Sequence, residues 1–407
     1  MSRRDRPLSR LDLLDPDVVT DPYPAFAVER ERAPVAWHEP SATWLVTSHA
    51  GCSQVLRDRR LGRIWTDRQP RAVFEPFNVL HRNQMMENEP PAHTRLRRKV
   101  SAAFARGHVE RIRPRVQTLG RQLLAAAGTT FDALADFAEP LPVLVIAELL
   151  GAPTSDVARL RRWSQAIVRM YEPTRTADVE HTALTASREF GDYLRDLMLV
   201  RRAAPGDDLL SDLLRAQEGE QGLTDDEVMA AAILLLNAGH EASVNVFGNG
   251  LAAVLAEPAQ WEKLGAGVVA VESAVEEMLR YDSALQLFER TATTDVVIGE
   301  VQVAAGEKVA VLLGSANRDP VVFDRADDLD LGRDPNPHLA FGAGVHFCLG
   351  APLARAELAE SLRLLVDSYP GLRLAGGERR RPTFVLRGYE RLPVTADGPD
   401  RSVPAIG

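Results

Sequence analysis

The sequence predicts a mainly α-helical single domain with small peripheral β-sheets. Helical hydrophobic patterns dominate the 407 residues, and β signals are confined to short islands. Hydrophobic residues make up 45% of the chain, which is enough for a sizeable core, and we find no internal repeat and no long linker. We therefore expect residues 1–407 to form one domain, with roughly ten flexible residues at each terminus.

The first part of the chain predicts a hairpin, a helix and a long loop. Residues 35–37 and 43–46 are strand-like with turn residues between them, and the helix that follows carries Cys52 as a small core residue. Residues 63–89 are rich in Pro, Asn, Arg and Phe without sustained periodicity. Such a stretch predicts either a functional loop or a mobile one.

Helices are predicted to follow from Pro91 to about Arg202. The predicted interruptions are Pro114, residues 140–142, residues 151–153 and residues 172–173. A second β-rich region is predicted for residues 291–313, and short hairpin strands are predicted for residues 371–374 and 383–394. Between these regions, Thr224 and Glu227 form a capping box that opens a helix running to Glu257, about 50 Å long.

Composition excludes several classes of protein. The net charge of −9 argues against a nucleic-acid partner, which usually requires a basic face. Two cysteines, Cys52 and Cys348, cannot form a disulfide framework and suit a reducing compartment. The N-terminus has no apolar segment behind its charges, and no apolar stretch approaches the ~20 residues of a membrane span. We expect a cytoplasmic protein without a membrane anchor.

Cys348 lies in a glycine-rich loop, residues 341–350, that opens onto a helix. Glycines let the backbone fold closely around the sulfur. N–H groups in such a turn and at the helix start stabilise the negative charge of a thiolate. This is the arrangement that a thiolate metal ligand needs. The alternative is a buried structural thiol beside a turn.

The loop resembles the haem-binding signature of the cytochrome P450 family, Phe-x-x-Gly-x-His-x-Cys-x-Gly. Its five fixed positions are matched by Phe341, Gly344, His346, Cys348 and Gly350. The resemblance implies the P450 fold over essentially the whole chain. It also implies a haem b cofactor (iron protoporphyrin IX) with the Cys348 thiolate as its axial ligand.

The long helix is similar to the oxygen-binding helix of that family, Ala/Gly-Gly-x-Asp/Glu-Thr-Thr/Ser. Ala238, Gly239, Glu241 and Ser243 fit the pattern, and the resemblance implies that Ala238 contacts the haem. Ala242 departs from it, because the family has a threonine there that helps deliver protons.

Three explanations of Ala242 stay open. Ser243, Glu241 and ordered water carry the protons; or a polar group of the substrate fills the gap; or the chemistry needs less protonation, as in oxidative coupling. Asn237 also departs from the family, which has an apolar residue there. It contacts substrate in one interpretation and a backbone carbonyl in the other. His240 is expected to be a surface or packing residue.

Further motifs of the family seat the haem and brace the fold. His93 and Arg97 share one helical face and, with Arg290 and His346, are the implied propionate donors. Glu277, Arg280 and Arg333 match the Glu-x-x-Arg motif and its third partner, whose role in the family is structural.

The resemblance also implies substrate contacts and partners. The candidate substrate contacts are Met85, Leu234, Asn237, Leu287, Phe288 and Leu386. Electrons would come from a ferredoxin and its reductase, docking on a basic patch of Arg95, Arg98, Lys99, Arg106 and Arg355. We expect a monomer that oxidises a small secondary metabolite, free or tethered to a carrier protein. The competing hypotheses are a coupling oxidase, a peroxygenase and a haem-thiolate sensor without turnover.

Overall fold

The computed structural model describes residues 6–104, 108–173 and 175–396. The predicted flexible termini therefore lie largely outside the described residues. The helices of the described part are α1 Pro16–Thr20, α2 Tyr23–Arg32, α3 His49–Arg57, α4 Arg71–Arg82, α5 Ala92–Phe104, α6 His108–Ala127, α7 Pro140–Leu150, α8 Val157–Val168, α9 Ala177–Ala203, α10 Leu209–Arg215, α11 Asp225–Ala256, α12 Pro258–Gly265, α13 Val271–Tyr281, α14 Leu313–Ala316 and α15 Ala351–Ser368.

Its strands are short and gather into small sheets. They are β1 Val35–His38, β2 Thr43–Val46, β3 Leu61–Gly62, β4 Thr130–Asp132, β5 Leu287–Ala292, β6 Val296–Ile298, β7 Val301–Val303, β8 Lys308–Leu312, β9 Arg373–Leu374, β10 Arg379–Arg380, β11 Tyr389–Arg391 and β12 Pro393–Thr395. The largest sheet has the order β1-β2-β8-β5-β3, in which only the β2–β8 pair is parallel. The mainly α class with small peripheral sheets is confirmed.

Two predicted elements were wrong or incomplete. Residues 63–89 are not a continuous loop, because they contain α4 and a 3₁₀ turn, Met85–Glu87. The buried side chains of α4, including Phe74, Phe77 and Leu80, recur at helical spacing, but Pro76 inside the helix hid that pattern. Pro114 likewise lies within α6 and does not interrupt it.

Helix α11 is the central element of the core. The capping box forms as predicted: Thr224 accepts from the backbone N–H of Glu227 at 3.2 Å, and the Glu227 carboxylate accepts from the backbone N–H of Thr224 at 2.9 Å. The helix packs against α4, α7, α8, α9, α13 and α15. Since neighbours surround it, most of its residues are buried. No helix in the described part of the chain is long and apolar enough to cross a membrane.

The side chains of Glu277 and Arg280 form a fully buried ion pair on α13, with two N–O distances of 2.7 Å. Arg280 also donates to the carbonyl oxygens of Asn317 and Ala326 at 2.9 and 2.7 Å. Arg333 donates to the Glu277 carboxylate at 3.2 Å. The three residues therefore connect α13 to the long segment that leads to the Cys348 loop.

We expect Arg280→Ala to lower the free energy of unfolding by about 3–5 kcal/mol, because it leaves the Glu277 carboxylate buried and unpaired. The matched control is Arg195→Ala, which removes an exposed i, i+3 pair with Asp192 and should cost about 0–1 kcal/mol. Urea unfolding of the haem-loaded protein measures both. Equal midpoints for the two variants would contradict the structural role.

Candidate active site

The Cys348 thiol is surrounded by backbone donors and arginines. The backbone N–H of Cys348 donates to the carbonyl of Phe341 at 2.9 Å, which closes the loop. Burial raises the pKa of Cys348 above its usual value, and the N–H groups of Gly350 and Ala351 and the guanidinium of Arg97 oppose that rise. These groups favour the thiolate, and the N–H donors lie at the start of α15, where the sequence predicts them.

The conformation of the loop depends on Gly344. Its φ is +71°, and a Cβ atom there would lie 2.3 Å from the carbonyl oxygen of Leu56. A larger residue would therefore push the Cys348 loop away from α3. At Gly350 a Cβ would lie 3.9 Å from the Cys348 sulfur, which is an ordinary van der Waals contact, so the steric constraint belongs to Gly344.

The four predicted propionate donors form one cationic cluster with unused donors. The rings of His93 and His346 lie 4.4 Å apart, and Arg97 donates to the Phe347 carbonyl at 2.8 Å. His93 Nε2 and Arg290 Nη2 are buried and have no hydrogen-bond partner among the described residues. Unpaired buried donors are costly, so the cluster fits a ligand that brings in anionic oxygens. The two propionates of a haem have that chemistry.

Electrostatics supports the same conclusion. Burial lowers the pKa of His93 to about 4, and the nearby His346 and Arg97 lower it further. Burial, followed by repulsion from Arg63, lowers the pKa of Arg290 to about 10. Both pKa shifts arise because the groups are buried and lie close to other positive groups. A bound carboxylate would relieve both.

Sequence reasoning missed three members of this cluster: Arg63, Glu87 and Glu89. Arg63 pairs with Glu87, its backbone N–H donates to Glu89 at 2.6 Å, and its Nε is a further unpaired buried donor. Glu89 also accepts from His346 at 2.7 Å. Only tertiary contacts reveal them, because in sequence they lie in a segment without periodicity.

One face of α11 is open although the rest of the helix is buried. Ala238 is exposed and Ala242 is half-buried, whereas the neighbouring Leu236, His240 and Glu241 are buried. Ala238 and Ala242 are four residues apart and therefore share a face. Small side chains on an open interior face leave room for a bound group. His240 is a packing residue, not a surface residue.

Glu241 begins a chain of ion pairs that leads outward. Its carboxylate accepts from Arg381 at 3.2 Å, Arg381 donates to Glu139 at 3.1 Å, and Glu139 accepts from Arg161 at 3.1 Å. The Arg161 side chain is 39% exposed, so the chain ends at solvent. Burial raises the pKa of Glu241 despite the pairing with Arg381. Its second oxygen, Oε1, has no hydrogen-bond partner among the described residues, although the Nδ1 atom of His240 lies 3.3 Å away.

Ser243 faces a buried acid that the sequence did not reveal. Burial raises the pKa of Glu357, on α15, to about 8, and a hydrogen bond from Ser243 opposes the shift. Because Glu357 is on the helix that follows Cys348, this bond joins α11 to the thiol loop. The signal available in sequence was a glutamate at a core position of an amphipathic helix.

The candidate substrate contacts fall in two groups. Leu234 and Asn237 lie on α11, and the Asn237 Oδ1 acceptor is buried without a hydrogen-bond partner among the described residues. A bond to a backbone carbonyl would use the Nδ2 donor of Asn237, so both interpretations of this residue stay predictions. Met85 lies in the 3₁₀ turn after α4.

Leu287, Phe288 and Leu386 form the second group, at β5 and the final hairpin. Leu285 and Leu386 form an isolated β-bridge, which brings the hairpin tip against the start of β5. Phe288 lies between two arginines, with Arg63 and Arg290 at 4.7 and 4.6 Å from its ring. Its ring thus packs on the cationic cluster.

Glu357 makes stability depend on pH. Since its folded-state pKa is raised, the folded protein keeps a proton that the unfolded chain releases, so stability falls as pH rises from about 4.5 to about 8. The limiting slope is about 1.4 kcal/mol per pH unit.

We expect Glu357→Gln to flatten this fall in urea midpoints measured between pH 5 and pH 8.5. As a control, Glu360→Gln breaks the ion pairs with Arg113 and Arg363, so it should lower the urea midpoint at both ends of that pH range. An unchanged slope in the Glu357 variant would refute the assignment.

Comparisons with known proteins agree with this geometry. The family model for Cytochrome P450 matches residues 194–370. The chain is 38% identical over 400 residues to the cytochrome P450 monooxygenase PikC of Streptomyces venezuelae, covering 95% of this chain and 94% of the relative. It is 37% identical over 404 residues to the 6-deoxyerythronolide B hydroxylase of Saccharopolyspora erythraea, covering 95% and 99%.

A solved structure shows the same fold. P450BioI, in complex with an acyl carrier protein ligated to hexadec-9Z-enoic acid, superposes with a TM-score of 0.89 at 32% identity, covering 94% of this chain and 100% of that one. The likeness extends over nearly the full length of each of these relatives and includes the thiol loop. The protein therefore belongs to the cytochrome P450 family of haem-thiolate monooxygenases.

Proposed function

We propose that Cys348 is the axial ligand of a haem b and that the enzyme hydroxylates a small secondary-metabolite substrate. The observation that carries this proposal is the thiol itself: backbone N–H groups and Arg97 favour its thiolate, beside a cationic cluster with unused donors. In the overall reaction a C–H bond becomes C–OH, the second oxygen atom leaves as water, and two electrons and two protons balance the change. The bound haem supplies the activation of oxygen, which thiolate ligation favours.

The other residues of the site hold the haem and the substrate. His93, Arg97, Arg290 and His346 would bind the propionates, and we add Arg63 to this set. Phe341, Gly344 and Gly350 shape the loop that carries Cys348, and the small side chain of Ala238 would leave room for the haem beside α11. Leu234, Asn237 and Leu386 would orient the substrate, together with Met85 and Leu287. One relative is named a 6-deoxyerythronolide B hydroxylase and another, PksS of Bacillus subtilis, a polyketide biosynthesis cytochrome P450, and both names favour a secondary-metabolite substrate.

Proton supply is assigned to Glu241 and Ser243. The ion-pair chain from Glu241 through Arg381 and Glu139 to Arg161 offers a route from solvent. Burial raises the pKa of Glu241, which favours the protonated form of a group that is to hold a proton. Ser243 and Glu357 form a second polar pair on the other side of α11. Ala242 has no hydroxyl to connect either pair to the reacting oxygen. A polar group of the substrate, or a water held by it, fills that gap.

The electron donors would be a ferredoxin and its reductase, meeting the enzyme as a monomer. Of the basic patch predicted for docking, Arg98 remains exposed, whereas Arg95 pairs with Glu227 and Arg355 pairs with Glu276. Arg106 lies outside the described residues. Arg98 and Lys99 are therefore the cations most available to an acidic partner.

The axial-ligand assignment has a direct spectroscopic test. We expect the reduced CO complex of the parent to absorb at about 450 nm and Cys348→Ala to lose that band, because only thiolate ligation produces it. Cys52→Ala is the matched control, since the Cys52 thiol is fully buried in the core and burial raises its pKa. Loss of the band in the Cys52 variant alone would reject the assignment.

The assignment of proton supply is tested at Ala242. We expect Ala242→Thr to change the fraction of NADPH electrons that end in peroxide, by about twofold or more, because a new hydroxyl would compete with the substrate-held group. Peroxide and product are measured per NADPH consumed, with a surrogate ferredoxin system. Unchanged coupling and product would exclude substrate assistance.

A further inference from the structure

Some arginines in the described residues are partly buried without a protein carboxylate to balance them. Burial lowers the pKa of Arg30, Arg68, Arg97 and Arg290. Arg30 lies 3.9 Å from Asp319, so it is paired. Arg97 and Arg290 belong to the cluster assigned to the haem propionates. Arg68 is left without an assigned anion.

Uncharged groups hold Arg68 in place. The backbone N–H of Arg68 donates to the side chain of Asn78 at 2.9 Å, and the side-chain amide of Asn78 donates to the carbonyl of Arg68 at 3.1 Å. The guanidinium Nη2 of Arg68 donates to the carbonyl of Met170 at 3.1 Å, and the guanidinium carbon lies 5.2 Å from the ring centre of Phe77. Nε and Nη1 have no hydrogen-bond partner among the described residues. Because these contacts are neutral, they do not balance the positive charge of the guanidinium, and its remaining N–H groups can donate to an anion on another molecule.

Neighbouring charges leave this place positive. Arg175 lowers the pKa of Arg68, after burial, because it adds a second positive charge. The nearest acids are already paired: Glu180 lies 3.7 Å from Arg175, and Glu87 pairs with Arg63. Two carboxylates thus face three guanidinium groups.

Two further titratable residues that interact with Arg68, His81 and Tyr171, are uncharged near neutral pH. Burial lowers the pKa of His81 to about 4, and burial also raises the pKa of Tyr171. His81 Nε2 and the Tyr171 hydroxyl lie 3.2 Å apart and satisfy each other. Neither group can balance the remaining positive charge.

Arg68 is linked to the haem cluster by a charge interaction with Glu87 and, beyond Glu87, by direct contacts. Arg68 packs on α4, and Glu87, one of the acids that act on it, pairs with Arg63. Arg63 lies over Phe288, and Phe288 contacts Arg290. The Arg68 guanidinium is therefore at the outer end of the substrate-facing segment 63–89, beside the stretch that joins α8 to α9.

We propose that Arg68 binds a carboxylate carried by the substrate, at the end remote from the oxidised carbon. The inference rests on the proposed function and deepens it by naming the substrate class: apolar small molecules with a free carboxylate. It also favours a free acid over a carrier-tethered substrate, because a thioester to a carrier has no carboxylate at that end.

The test compares a fatty acid with its neutral ester. We expect dodecanoate to bind the haem-loaded parent at least about tenfold more tightly than methyl dodecanoate, because only the acid can form a charge-assisted pair with the arginine. Arg68→Gln should abolish the preference. Arg71→Gln is the matched control: it removes a charge three residues away, from an exposed arginine paired with Asp67 and Glu75, and should keep the preference. Calorimetry and the spin-state shift of the haem give the dissociation constants.

Each result of this experiment either supports the carboxylate site at Arg68 or overturns it. Equal affinity for acid and ester, no binding of the acid, or a preference that survives Arg68→Gln would each overturn the proposal. A preference lost equally in both arginine variants would also overturn it, because general charge attraction would then be the cause. The CO band at about 450 nm is recorded on each sample, so failure of the carboxylate site is distinguished from failure of haem-thiolate ligation.

Discussion

A sulfur anion buried beside a haem must be compensated for the water it loses, and the rest of the site depends on that constraint. Gly350 and Ala351 donate backbone N–H groups to Cys348 because the loop turns directly into α15. That turn is possible only while Gly344 keeps a positive φ against the carbonyl of Leu56. A helix start, a glycine and a thiol therefore act as one unit.

Positive side chains near the thiol are also removed from water, and they too need compensating partners. Arg97 and Arg290 are positive groups placed where water is scarce, and their pKa values are lowered accordingly, whereas His93, with a pKa lowered to about 4, is neutral near pH 7. In the folded protein without ligands these buried groups are costly. The two propionates of the proposed haem would convert this cost into binding, and they would provide partners for donors such as Arg290 Nη2. Arg68 follows the same logic, with the substrate as the source of the anion.

The faces of helix α11 carry different kinds of side chain. One face carries the small side chains of Ala238 and Ala242. On either side of it, Glu241 and Ser243 contact buried polar partners on other elements. Glu241 meets the final hairpin through Arg381, and Ser243 meets α15 through Glu357. A single helix thus contacts both the final hairpin and α15. In the proposed function, the absence of a hydroxyl at Ala242 leaves the connection to be completed by a bound molecule.

The elements that could be predicted from sequence depend on local interactions: the capped helix α11, the first hairpin, the β region predicted for residues 291–313, and the glycine loop around Cys348. Each is specified by residues close together in the chain, through caps, alternation or turn chemistry. Site motifs with fixed spacing, such as residues 93–97 and 277–280, were visible for the same reason.

Tertiary structure alone decided which distant groups meet. Arg63, Glu87, Glu89, Arg381 and Glu357 carry no local signature of their contacts, since each is a single charge in a segment chosen for other reasons. Helix α4 was hidden because Pro76 lies inside it. Burial, which sets the pKa of Glu357 and leaves Arg68 without a carboxylate, is a property of the packed chain. It arises from neighbours far away in sequence, and no window of the sequence contains them.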